Sequence, residues 1–217
     1  MTNNEFHLKE ILIALEQEDI LKDLILIGSW SLLMYKRIYN DFDPLIATTD
    51  IDFYIPNVKV INQKNNILNT LKEINYDEVK DRLTNKSRFI SPDGFEIEFL
   101  TKLNRNNLSC IKVGNTTIFA ESLSYVEIFN SNYIEIDYEG IKINVVSPLC
   151  YVLQKLLINS DRKSKDLKDI ESIKYVLGFI NKSQSDRDEL RIIYESLPKK
   201  WKAKISKTTQ KYNIILF

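Results

Sequence analysis

Apolar residues follow two different periods along the chain, and each period predicts a different kind of element. In residues 8–15, leucine and isoleucine recur at helical spacing, which predicts an amphipathic first helix. Residues 24–27 are uninterruptedly apolar, as expected of a short buried strand. In residues 50–55, apolar and polar residues alternate, which predicts a strand whose two faces differ in chemistry.

Further strands are predicted in pairs, because turn-forming residues separate them. Residues 91–94, Ser-Pro-Asp-Gly, lie between two strand-like runs and predict a hairpin. Gly114-Asn115 and Glu139-Gly140 take the same position in two more predicted hairpins, at residues 111–119 and 133–146. After Pro56, apolar residues between positions 60 and 71 predict a helix instead.

From Pro148 onward the pattern becomes helical. Three apolar stripes, in residues 149–157, 170–177 and 190–197, predict three helices. We therefore predict an α/β (α+β) fold in which residues 1–147 form a mixed sheet with flanking helices. Residues 148–217 are predicted to form a helical region packed on it.

Composition changes this picture little. The formal net charge of the 217 residues is zero, so no global basic field indicates a nucleic-acid partner. The exception is residues 199–211, where six lysines surround Trp201 without any acidic residue. Such a run is typical either of a solvated helix face or of a contact with a polyanion, and both readings stay open.

Neither cysteines nor targeting signals add constraints. The two cysteines, Cys110 and Cys150, fit neither a disulfide framework nor a zinc site. No leader pattern and no apolar stretch of membrane-spanning length is present, so a soluble, cytoplasmic protein is expected. His7, the sole histidine, lies near the N-terminus, which favours a packing or surface role over catalysis.

The strongest chemical signal joins Gly28-Ser29, directly after the first strand, to Asp50 and Asp52 on the alternating strand. Residues two apart on a strand are about 6.6 Å apart, so two carboxylates can converge on hard cations about 3.5–4 Å apart. Such a site holds Mg²⁺ and a triphosphate. Alone, Gly28-Ser29 also fits a tight turn with a helix cap, and the two aspartates also fit an exposed strand face.

A third carboxylate and a lysine are the remaining candidates. Glu96 and Glu98 share one face of a predicted strand, and we favour Glu98 over Glu96 as the third acid, against a solvated strand face. Lys155 interrupts the apolar stripe of its helix, so it either extends to solvent or binds phosphate. Asp166 and Asp169 follow on one face of the next helix and could anchor that lysine.

In this order, the motifs Gly28-Ser29, Asp50-x-Asp52 and Glu98 resemble the nucleotidyltransferase superfamily of the polymerase-beta type. The downstream run, from Ser147-Pro148 through Lys155 to residues 165–170, resembles its AbiEii/MenT-like branch, the nucleotidyltransferase toxins of bacterial toxin–antitoxin and phage-abortive systems. The likeness covers residues 24–175. The interval between Ser29 and Asp50 is longer than in relatives, which implies an insertion around residues 38–47.

The resemblance implies transfer of a nucleoside monophosphate from a nucleoside triphosphate to an acceptor hydroxyl. The implied ligands of two Mg²⁺ ions are Asp50, Asp52 and Glu98. The implied nucleotide contacts are Gly28, Ser29, Lys155, Asp166 and Asp169. Where relatives carry an arginine before the aspartates, this chain has Ile46-Ala47, so that phosphate contact is either missing or supplied by Arg37, Arg88 or Lys155.

The implied partners are RNA, tRNA ends in particular, and a cognate antitoxin protein, while protein and small-molecule acceptors stay open. Two other functions stay open: a non-catalytic nucleotide- or RNA-binding module, and a small-molecule nucleotidyltransferase of the antibiotic-modifying kind.

Overall fold

A computed structural model describes residues 3–44, 46, 48–61, 66–104, 106, 108–159 and 166–217. The chain divides into two compact units, Met1–Val146 and Ser147–Phe217. A division in space does not show that either unit folds alone, so the domain boundary given by the sequence pattern stays a prediction.

The first unit is built on one mixed sheet, and the α/β fold class is thereby confirmed. Its nine described strands are β1 (Ile25–Ile27), β2 (Asp50–Tyr54), β3 (Asp77–Lys80), β4 (Ser87–Ile90), β5 (Glu96–Lys102), β6 (Cys110–Lys112), β7 (Phe119–Leu123), β8 (Tyr133–Tyr138) and β9 (Ile141–Val146). The main path through the sheet is β3-β4-β5-β2-β1-β9-β8, with β7 pairing with β5 and β6 with β7.

The two faces of the central strands differ, as the alternating sequence predicts. On one face of β2 and β5, Phe53 and Phe99 are fully buried and their ring centroids lie 6.1 Å apart. Phe89 of β4 meets Phe99 edge-on, with 5.8 Å between ring centroids. This apolar face belongs to the core, whereas the acidic residues of β2 and β5 lie on the opposite face.

All three predicted hairpins are confirmed. β4 pairs antiparallel with β5, β6 with β7, and β8 with β9. In the last of these turns, Glu139 and Gly140 both have positive φ, 54° and 88°, which is typical of the two-residue turns that match the twist of paired strands.

Three helices accompany the sheet: α1 (Asn3–Gln17), α2 (Trp30–Tyr35) and α3 (Ile67–Glu73). Helix α3 is shorter than predicted, because Val60 and Ile61 lie in a turn before it; residues 62–65 lie outside the described part of the chain. Strand β3 was not predicted, since its residues are almost all charged and mostly exposed.

His7 anchors helix α1 to the turn that precedes β5. Its ring stacks on Phe95, with 4.7 Å between centroids, and its Nε2 lies 2.8 Å from Asp93 Oδ2. Its Nδ1 lies 2.7 Å from the Tyr76 hydroxyl. Hydrogen bonds from Ser91 and then from His7 hold the pKa of Asp93 below its usual value. His7 is therefore a packing residue.

The second unit is helical, as predicted. Its helices are α4 (Pro148–Ile158), α5 (Asp166–Ile180), α6 (Gln184–Ser196) and α7 (Lys199–Tyr212). Ser147 caps α4 by accepting a hydrogen bond from the Cys150 amide, with Pro148 at the first helical position, where proline is well tolerated. Among the described helices, none is long and apolar enough to cross a membrane.

Candidate functional site

Strand pairing lines up three of the predicted site residues. Asp52 of β2 lies opposite Ile27, the last residue of β1, so Gly28 directly follows the paired position. On its other side, Asp52 lies opposite Glu98 of the parallel strand β5. Asp50 lies opposite Glu96 in the same ladder. Residues directly opposite in a ladder project to the same face, so these acids form one group on the sheet.

Gly28 comes so close to Asp52 that only glycine fits. Its φ is +71°, a left-handed conformation that other residues rarely adopt. A Cβ atom added there would lie 2.5 Å from Asp52 Oδ2, closer than atoms can approach. The backbone at this turn therefore reaches the Asp52 carboxylate directly, and the nucleotide contact of Gly28 stays a prediction.

Asp50 is held from both its backbone and its side chain. The indole N–H of Trp30 donates to the Asp50 carbonyl over 2.9 Å, and the Thr48 hydroxyl donates to Asp50 Oδ1. Trp30 is only 1% exposed, so it fixes the start of α2 against the start of β2. Sequence reasoning missed this role, although a tryptophan directly after Gly-Ser is a usable signal.

The turn at Gly28-Ser29 leads into α2 as predicted, but the helix is short and its cap is unusual. Ser29 takes the N-cap position without a side-chain capping hydrogen bond. The Ser31 hydroxyl donates instead to the Gly28 carbonyl over 2.7 Å and closes the turn. The helix ends at Tyr35.

Both glutamates of β5 are held by cations of the same face. Lys86 Nζ donates to Glu98 Oε1 over 2.9 Å and also to Glu121. Burial lowers the pKa of Lys86, but the hydrogen bonds and charges of these two glutamates outweigh it and raise the pKa. Arg88 donates to Glu96 Oε2 over 3.0 Å. Sequence reasoning did not find Lys86, since nothing local distinguishes it from a surface lysine.

The donor chemistry of this face suits a hard cation only in part. Asp50 and Asp52 supply the carboxylate oxygens that Mg²⁺ prefers, and the bare backbone of Gly28 lies directly against Asp52. Glu98 lies in register with them but pairs with Lys86. Within the described residues, no three His, Cys, Asp or Glu side chains are grouped to hold an ion. The two-metal set stays a prediction.

Lys155 lies inside the helical unit. Its side chain is 10% exposed and donates to Asp169 Oδ1 over 2.8 Å, while Asp169 is 6% exposed. The expectation that it extends to solvent is therefore wrong, because a buried carboxylate one helix away offers a nearer partner. Its anchoring by Asp169 is confirmed, and its phosphate contact stays a prediction.

Other predicted contacts lie partly outside the described structure. Asp166 begins α5, but the prediction for its side chain falls outside the described residues. Among the alternative phosphate contacts, Arg88 is paired with Glu96, and Arg37 is exposed after α2.

Comparison with known proteins adds a family and a fold. A family model described as "Nucleotidyltransferase" matches residues 7–196. No curated protein matches the chain. The structure of an antigenic nucleotidyltransferase-like protein from Paracoccidioides brasiliensis is similar, with a TM-score of 0.50 and 16% identity over 95% of this chain and 94% of that one. The structure of ANT(2'')-Ia in complex with adenylyl-2''-tobramycin has a TM-score of 0.52 and 11% identity over 97% of this chain and 99% of that one. At these identities the likeness shows a shared fold.

Proposed function

Because the chain belongs to the nucleotidyltransferase family, we propose that this enzyme moves a nucleoside monophosphate from a nucleoside triphosphate to an acceptor hydroxyl, releasing pyrophosphate. The observation that carries the proposal is the approach of Gly28 to Asp52. A turn without a side chain lies against a carboxylate, and a second carboxylate, Asp50, shares its face. Backbone amides and acidic side chains at one place suit a triphosphate with its metal.

The residues of this site would have different roles in the reaction. Asp50 and Asp52 would hold Mg²⁺, which supplies charge neutralisation and lowers the pKa of a bound hydroxyl when present. Gly28 lets the backbone approach the phosphates, and the Ser29 hydroxyl is not used to cap α2. Glu98 would complete the metal ligands or accept the proton of the attacking hydroxyl, once its bond to Lys86 is exchanged.

We propose RNA, tRNA ends in particular, as the acceptor. The support is the motif order that resembles the AbiEii/MenT-like branch, and that branch implies a toxin with a cognate antitoxin. We also propose a phosphate contact for Lys155, whose ammonium group Asp169 anchors.

The test is incubation of the purified protein with each labelled nucleoside triphosphate, Mg²⁺ and total cellular RNA. We expect label to enter RNA with one preferred nucleotide and pyrophosphate to be released. EDTA and the Asp52→Asn variant should each abolish transfer. Labelling that survives both treatments would overturn the assignment of this site.

A small-molecule hydroxyl is the second candidate acceptor. Its support is the fold shared with ANT(2'')-Ia, whose structure holds adenylyl-2''-tobramycin. The same assay with tobramycin in place of RNA separates the two candidates: transfer to the drug alone favours the second, and transfer to RNA alone favours the first.

A further inference from the structure

Two carboxylates lie side by side on the acidic face of the sheet. Asp52 of β2 and Glu98 of β5 are directly opposite each other in a parallel ladder. Like charges in this position destabilise a sheet, and a nearby cation offsets the repulsion. In this protein the ammonium group of Lys86 lies 2.9 Å from Glu98 Oε1. Lys86 therefore supplies at Glu98 the kind of positive charge that a bound divalent cation would supply.

Lys86 is held in this position by a second carboxylate. It directly precedes β4, and its Nζ also donates to Glu121 of β7. Glu121 lies opposite Leu100, two residues after Glu98, so it projects to the same face as Glu98. The side chains of Lys86 and Glu98 are 18% and 19% exposed, so water screens the pair only in part. One lysine thus connects carboxylates of two neighbouring strands.

The second acceptor makes the release of Glu98 easier. A partly buried cation that loses its one carboxylate leaves an uncompensated charge, which destabilises the protein. Lys86 avoids this penalty, because it keeps its bond to Glu121 when Glu98 turns away. Glu96 is held differently: among the described residues, it is the one carboxylate that forms an ion pair with its cation, Arg88, over 3.0 Å. Of the two glutamates of β5, Glu98 is therefore the one more readily released.

We infer that Lys86 and a divalent cation compete for the Glu98 carboxylate, and that Glu121 retains the lysine when Glu98 is released. The inference rests on the proposed function, since it concerns the third acidic residue of that site. Lys86 and Glu121 are positioning residues, because they act on the site through Glu98. A hydrogen bond between charged groups changes an equilibrium constant by roughly ten- to a hundredfold, and partial exposure favours the lower end of this range.

The test is binding of Mn²⁺ alone to the full-length protein, measured by electron paramagnetic resonance of the free ion. Lys86→Met should bind Mn²⁺ about tenfold more tightly than wild type, because the competing cation is gone. Lys86→Gln, which keeps N–H donors without the charge, takes its place if Lys86→Met does not fold.

Lys80→Met is the matched control. Lys80 lies at the other end of the same turn between β3 and β4 and pairs with Glu78. Glu78 lies opposite the core residue Phe89 and is in register with neither aspartate of the site. Both variants lower the net charge by one, but Lys80→Met should keep the wild-type affinity for Mn²⁺.

Double variants separate competition for Glu98 from the long-range effect of charge. In a Glu98→Gln background, Lys86→Met should leave the Mn²⁺ affinity unchanged, whereas a long-range effect would persist. Glu121→Gln should weaken Mn²⁺ binding, since it removes the acceptor that retains Lys86 when Glu98 is released. In a Lys86→Met background, the same substitution should have little effect.

An unchanged or lower Mn²⁺ affinity in Lys86→Met would overturn the inference. So would an equal increase in Lys80→Met, an increase that persists in the Glu98→Gln background, or a wild-type protein that does not bind Mn²⁺. An effect of Glu121→Gln that remains without Lys86 would overturn the role of Glu121.

The transfer assay separates this inference from the proposed function. If the wild-type protein transfers no nucleotide to any acceptor and the Mn²⁺ affinities change as expected, the proposed reaction fails and the competition stands. If transfer occurs and Lys86→Met binds Mn²⁺ like wild type, the proposed reaction stands and the inference fails.

Discussion

We expect Gly28→Ala to lower both stability and transfer activity, because an alanine at this position strains the backbone and also displaces the Asp52 carboxylate. An alanine there takes a left-handed φ of +71°, which costs about 1–2 kcal/mol of folding free energy. Its Cβ would also lie 2.5 Å from Asp52 Oδ2, and ordinary contact begins near 3.4 Å. The carboxylate must therefore move by about 0.9 Å, and a displacement of this order in an active site costs roughly a hundredfold in rate.

Gly140→Ala is the matched control for the backbone cost. Gly140 has a φ of +88°, and a Cβ atom added there meets nothing within 4 Å. We expect urea unfolding to show similar losses of about 1–2 kcal/mol in both variants. Transfer activity, measured with both variants folded, should fall only for Gly28→Ala. If Gly28→Ala is as active as Gly140→Ala, the contact with Asp52 has no part in catalysis and the reasoning is refuted.

Three further predictions concern charged groups. Asp52→Asn should lower transfer at least about a hundredfold, or about 2.7 kcal/mol of transition-state stabilisation, with an unchanged urea midpoint; a near-normal rate would remove Asp52 from the metal site. Lys155→Met leaves the buried Asp169 carboxylate without its cation, so we expect the free energy of unfolding in urea to fall by about 3–5 kcal/mol. Most of this loss should be recovered in the double variant that also carries Asp169→Leu. A small loss in the single variant would contradict burial of the pair. The pKa of Asp93 is lower in the folded than in the unfolded state, so its stabilisation is complete above the ordinary value of 3.8 and lost as pH falls below it. Asp93→Asn should therefore unfold more easily than wild type at pH 7, and the difference should shrink steadily as the pH falls below 3.8; a difference that stays constant in acid would exclude this linkage.

Local pattern was sufficient for most of the strands and for the face that Asp50 and Asp52 share. The alternation around Asp50 and Asp52 identified both the strand and the face that the two aspartates share, because side chains at every second position of a strand project to the same face. Turn residues such as Glu139 and Gly140 located the hairpins, since positive φ restricts the residue types. Strand β3 was not predicted, because it has little apolar content and is a strand through its pairing with β4.

Non-local contacts could not be predicted in the same way. The choice between Glu96 and Glu98 depends on register, and the pairing of Asp52 with Glu98 appears only in the assembled sheet. Lys86 lies twelve residues before Glu98, across a hairpin, and no spacing rule connects the two. Lys155 and Asp169 belong to different helices, so a lysine within an apolar stripe could be buried or extended until the neighbouring helix was known.

The position of β1 in the sheet has a consequence for biosynthesis. Leu26 pairs with Val145 of β9, so one edge of β1 finds its partner only after about 120 further residues have been made. At 5–20 residues per second, that interval is roughly 6–24 s. During this time β1, β2 and β5 can pair with each other, while the other edge of β1 exposes unpaired amide and carbonyl groups in an uninterruptedly apolar strand. Unpaired apolar edges associate with other chains. A nascent chain arrested before β9 is therefore the form of this protein most prone to aggregate. It is also the form in which a chaperone would cover the unpaired apolar edge of β1.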